Sequence, residues 1–197
     1  MSSRPNPALP RVHIYGHVSA QPMTVAELFQ GAHSSVALAE SDLAIFAINP
    51  AAGIDQTTID LWQVLSDFQV PRLVVVNELD GSDSDFDDAV LLANRVLDPL
   101  VTPYLVLHND NGDPTALIDL ESLEIVDYSN QPPVRRDSDP EHKDLVKDFR
   151  EEYLQAVDEA GDAAFEAGLL FPAIPLVISK GIGVDIVNNF IARVSRN

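Results

Sequence analysis

The chain has no cysteine, which excludes disulfides, thiolate metal sites and thiol chemistry. Cations are scarce as well: 12 Lys and Arg stand against 31 Asp and Glu, a formal charge of −19 over 197 residues. Binding a nucleic-acid backbone needs a basic face. Beyond Arg135-Arg136 there is no basic cluster, so no direct nucleic-acid contact is expected. Long apolar runs are also missing. None approaches the roughly 20 residues that span a bilayer, and Met1 to Pro7 lacks the hydrophobic region of a signal peptide. No membrane partner and a cytoplasmic location are therefore expected. The bland reading of the acidity is solubility. The sharper one is a basic protein partner, drawn in by electrostatic steering.

What is present suits one soluble domain with a subdomain: 46% of the residues are apolar. The organising stretch is Pro71 to Asp80. Leu73-Val-Val-Val76 is a continuous apolar, β-branched run, the pattern of a parallel strand buried on both faces. It breaks into Asn77-Glu-Leu-Asp80 at the carboxyl end, where α/β sheets place ligands. Around it, Arg11–Tyr15 and Leu43–Ile48 read as further strands. Helices are expected over 24–29 with Thr24 as cap, 34–39, 57–68, 83–97 and 184–194. Strand and helix alternate, which argues a mostly parallel sheet.

After residue 101 the texture changes. Residues 104–107, 116–120 and 123–128 read as short antiparallel strands, and 130–140 as a polar link. A charged amphipathic helix is expected over 141–160, continuing through 163–168 after a break at Gly161. Ala173–Ile178 returns to a buried strand ending in Ser179-Lys180-Gly181. Residues 1–10, with three prolines, read as a flexible leader.

From about Ser41 onward this order, and the stretches that mark it, resemble the G domain of elongation factor G with its inserted G′ subdomain. Ser41 to Thr58 is similar to the family's stretch after the second switch. Trp62 sits where a Trp often lies in the next helix, and Val70 to Asp80 matches the guanine strand. Ala116–Leu120 and Asp148–Val157 match positions of the insert, and Ile174–Val177 with Gly181–Val184 match the last strand and the start of the closing helix. The resemblance implies a P-loop-NTPase-like α/β fold. Its mostly parallel, four-stranded core sheet would be flanked by helices and carry a small inserted antiparallel α+β subdomain. The core would comprise 11–101 and 171–197, and the insert 102–170. It also implies a degenerate guanine site of Asn77, Asp80, Ser179 and Lys180, with Glu78 in place of the family's Lys.

The departures are at the phosphate end. Gly16-His-Val-Ser-Ala-Gln-Pro-Met23 lies where G-x-x-x-x-G-K-[ST] belongs, with Gln21, Pro22 and Met23 replacing the last Gly, the Lys and the magnesium hydroxyl. Between Phe29 and Leu43 there is no room for the switch regions or the family's water-positioning His. No cofactor is therefore expected, and guanine nucleotide would bind weakly or not at all. In G domains the first strand lies between the third and fourth. With the second and third absent, Val12, His13, Ile14 and Tyr15 would form an open edge for a second copy or a partner's strand. The prolines of residues 5–10 would be the alternative cover. Other constellations carry less. Asp83-x-Asp85-x-Asp87 lacks the Gly and Glu of a calcium loop. His13 and His17 would lie roughly 13 Å apart in a strand at about 3.3 Å per residue, too far to share a metal.

The expectation is a non-hydrolysing pseudo-GTPase serving as a protein-interaction or regulatory module linked to translation, with ribosomal or other basic proteins as partners. The alternative is a weak GTP- or GDP-binding elongation-factor-like protein acting at the ribosome. An unrelated enzyme would need an active site that the sequence does not offer.

Overall fold

A computed structural model describes residues 9–77, 79 and 85–195. The first half runs β1 (Val12–Tyr15), a 3-10 turn (Val18–Ala20), α1 (Pro22–Leu28), β2 (Ala32–His33), β3 (Leu43–Ile48), α2 (Gln56–Asp67), β4 (Arg72–Val76), α3 (Phe86–Val96) and β5 (Leu100–Val101). Then come β6 (Tyr104–His108), β7 (Pro114–Asp119), β8 (Glu124–Asp127), β9 (Val134–Asp137), α4 (Pro140–Leu145), α5 (Lys147–Ala160), β10 (Phe171–Pro175), a second 3-10 turn (Ile178–Lys180) and α6 (Val184–Val194).

Every residue of β3, β4 and β10 is buried, as unalternating apolar strands require. They lie side by side in a parallel sheet of order β2-β1-β3-β4-β10-β5. The sheet has six strands, not the four expected, because two-residue strands add to each margin. The margin at β2 corrects the reading of an open first strand. Gln30 turns the chain with a left-handed φ of 53°. Gly31 then passes so close to β1 that a Cβ there would lie 2.8 Å from the Val12 carbonyl oxygen. Ala32 and His33 pair with His13 and Ile14.

The helix expected over 34–39 is absent. The Ser34 hydroxyl accepts from the Val36 N–H and donates to the Val36 carbonyl, a local turn that competes with helix. Thr24 is not a cap either: α1 begins at Pro22, whose missing N–H costs nothing in a first turn.

On one face of the sheet α2 buries Trp62 and Leu65, while Val64 and Phe68 are exposed. Arg72, at the start of β4, is buried between the rings of Trp62 and Phe171, 4.4 and 4.3 Å from their centroids. It donates to the Trp62 carbonyl at 3.0 Å and reaches Asp98 at 3.5 Å. Burial pulls the guanidinium down to about 10, against the pull of Asp98.

The second sheet, β6-β7-β8-β9, is antiparallel and lies in sequence between β5 and β10. Its alternation divides two cores. Leu117 and Val126 join the main core, while Ile118 and Ile125 pack with Val146 and Tyr153. Its fourth strand, β9, occupies the stretch read as a polar link. The single charged helix expected over 141–160 is two, parted at Val146. Residues 162–168 are turns rather than helix.

The closing helix is tied back by Arg193, whose Nε and Nη2 donate to the two carboxylate oxygens of Glu166 at 2.7 and 3.1 Å. This pair holds the Glu166 carboxyl below its ordinary value of 4.5. A carboxyl with a depressed folded-state pKa stabilises the fold above its unfolded pKa and loses that contribution as pH falls through the folded value. Glu166→Gln should therefore lower stability by about 1 kcal/mol at neutral pH. The difference from the parent should close in acid below the depressed value, read by urea unfolding at both pH values; a constant difference would contradict the ion-pair account.

Candidate nucleotide site

Polar residues gather where the parallel strands end. After β1, Gly16 takes a φ of 144°, and a Cβ there would lie 2.4 Å from the Ala47 carbonyl oxygen, so only glycine passes β3 this closely. The turn that follows closes on itself. The Ser19 N–H donates to the His17 Nδ1 at 3.2 Å, the Ala20 N–H to the His17 carbonyl at 2.9 Å and the Gln21 N–H to the Val18 carbonyl at 3.0 Å. Gln21 is left-handed (φ 51°), and Pro22, opening α1, has no N–H to offer.

The loop's carbonyls are held from below. Asn49, after β3, donates its side-chain amide to Ser19 O at 2.9 Å, and Asn77, after β4, donates to Ala20 O at 3.1 Å. The crevice among His17, Ala20, Asn49, Ile54 and Thr58 has no space for even a water molecule.

Of the residues expected to read a base, Asn77 is buried at 2% exposure and is the brace of this loop. Asp80 lies outside the described residues. Ser179 and Lys180 sit in the 3-10 turn after β10, the parallel neighbour of β4, so the fold brings them to the same end of the sheet as Asn77. Lys180 turns elsewhere. Lys180 Nζ donates to the Pro114 carbonyl at 3.0 Å, in the inserted sheet, and Gln131 Nε2 donates to the Lys180 carbonyl at 3.4 Å. A cleft of 470 Å³ beside Ser179 and Lys180 is walled by Thr115, Tyr128 and Gln131, not by Asn77.

The expected interaction edge is corrected in the same way. Val12, Ile14 and Tyr15 are buried, His13 is half-buried, and the outer margin belongs to Ala32 and His33. His13 Nδ1 lies 2.7 Å from the Ser41 hydroxyl, which donates to the Leu38 carbonyl. Among the described residues no group of acidic and histidine side chains could hold a metal, and no helix is long and apolar enough to cross a membrane. Sequence reasoning missed Asn49 and His17. Asn49 looked like a strand end before Pro50, and a capping His has no sequence signature beyond its place before a short turn.

No family model matches the chain. The elongation factor G-like protein of Mycobacterium tuberculosis, in strains CDC 1551 / Oshkosh and ATCC 25618 / H37Rv, is 28% identical over 170 residues, covering 74% of this chain and 23% of that protein. This chain is homologous to part of an elongation factor G-like protein. It spans about a quarter of the length of the curated relatives it matches. A crystal structure of a Thermus thermophilus protein superposes with a TM-score of 0.67 at 25% identity, covering 79% of this chain and 26% of that one. The mixed α/β fold is thus shared with a solved structure, and the likeness to an elongation factor G-like protein rests on the sequence match.

Asn77 acts on the loop rather than facing open solvent, so Asn77→Ala should cost about 1–3 kcal/mol by leaving the Ala20 carbonyl unpaired. Urea unfolding without any ligand checks this. An unchanged midpoint would mean that Asn77 does not brace the loop.

Proposed function

We propose that this chain is a non-hydrolysing relative of a translational GTPase domain, working through protein contacts as an interaction or regulatory module linked to translation. The observation that carries the reading is the set of amides after Gly16. A phosphate cradle needs several backbone N–H groups pointing at the ligand, together with a Lys and a hydroxyl for magnesium. Here the amides of Ser19, Ala20 and Gln21 are taken up within the turn. Pro22 stands in place of the Lys and Met23 in place of the hydroxyl.

Triphosphate charge would meet no compensation in this loop, and the charge of −19 opposes an anionic ligand further. The same charge disfavours direct nucleic-acid binding and suits a basic protein, of the ribosome or associated with it. The homology supports the link to translation.

Thermal unfolding with GDP or GTP and magnesium tests this. A ligand of the native state stabilises by RT ln(1 + [L]/Kd). No rise in Tm is expected up to millimolar nucleotide. A rise that grows with concentration would overturn the reading in favour of a residual guanine-nucleotide binder.

A further inference from the structure

We propose that the groove between α3 and α5 is a docking site for a basic amphipathic helix of a partner protein. The groove holds 720 Å³. Three large apolar side chains stand open in it: Leu91 on α3 (55% exposed), Phe149 on α5 (48%) and Leu169 on the approach to β10 (57%). Singly exposed apolar residues need no explanation. These three come from segments far apart in sequence and converge on one depression, whose wall includes the buried Val90 and Leu100.

The rim decides the occupant. Asp87 stands on the α3 wall, and Glu152 and Glu159 on the α5 wall, while among the described residues no Lys or Arg lines the groove. A second copy would bring another −19 and the same acidic rim, so like charges disfavour self-pairing. A helix with an apolar ridge at i, i+3, i+4 and i+7, flanked by Lys or Arg, meets both the floor and the two walls, as helix-in-groove recognition requires. α5 has 14 residues and is about 21 Å long at 1.5 Å per residue, so an occupant lying along it would present about four turns.

Asp87 adds a detail. Its exposed carboxyl stands with those of Asp85 and Asp88 at the start of α3, like charges that repel one another. A docked cation would relieve that repulsion.

The proposal gives the protein-binding half of the function above a surface and a partner chemistry. It rests on that reading only there, and peptide binding would stand even if nucleotide bound too. The test is a displayed library of helical peptides with a fixed apolar ridge and flanks varied among Lys, Arg, Glu and Ser, selected on the full chain. Selected peptides are then added to isotope-labelled protein and followed by backbone amide shifts.

Enriched sequences should carry Lys or Arg flanks and should perturb the amides of Leu91, Phe149 and Leu169. Their binding should weaken with salt. Phe149→Ala should weaken it about tenfold without changing Tm. The rim reversal Glu152→Lys should weaken it at unchanged fold. The proposal is overturned if acidic flanks enrich as well as basic ones. Shifts that map elsewhere, or a dimer in sedimentation that Phe149→Ala dissociates, would also overturn it. Failure here leaves the nucleotide result untouched.

Discussion

Backbone amides right after the first strand bond back into their own turn, and much of the molecule follows from that closure. His17 caps the turn through its Nδ1, and the amides of Ala20 and Gln21 complete it. The carbonyls of Ser19 and Ala20 are satisfied by Asn49 and Asn77 from the two neighbouring strand ends. Buried polar groups must be paired. Here the amides of Ser19, Ala20 and Gln21 and the carbonyls of Ser19 and Ala20 are all paired within the protein. The closure also sets what comes next. Pro22 opens a helix of only seven residues, and Gly31 returns the chain at once against β1.

How far this was legible depends on the kind of signal. The strands Leu43–Ile48 and Arg72–Val76 could be read because both faces are buried and the apolar run is unbroken. The narrow margins could not. A two-residue strand such as Ala32–His33 has no periodicity to detect, and it pairs only because Gly31 permits the approach. That small strand moved the open margin of the sheet away from Val12–Tyr15. Ser34 lay in a stretch of helical pattern, and its hydroxyl turned it into a bend. Strand β9 was hidden because Val134-Arg-Arg-Asp137 is exposed throughout and reads as polar link. At the site, the residue types were legible but their directions were not. Asn77 points under the loop and Lys180 points into the inserted sheet, choices made by neighbours distant in sequence.

The inserted sheet is bound to the core by specific polar contacts as well as by apolar packing. The Tyr128 hydroxyl donates to Asp185 at 2.7 Å, at the start of α6. Burial, and then that carboxylate, push the phenol well above its usual range. Lys180 donates across to β7. A cation that resembles part of a base-reading motif thus serves as a strut between two sheets. Polar side chains at the strand ends thus fasten a loop and join two sheets. The acidic surface and the apolar groove beside α5 then remain as the features that face outward.

The loop after Gly16 is closed by its own amides. Hydrogen exchange at the backbone amides of Ser19, Ala20 and Gln21, followed by NMR with and without GDP and magnesium, tests it most directly. Protection in the ligand-free protein that nucleotide leaves unchanged is the predicted result. Rapid exchange without ligand, with protection appearing only on adding nucleotide, would contradict it.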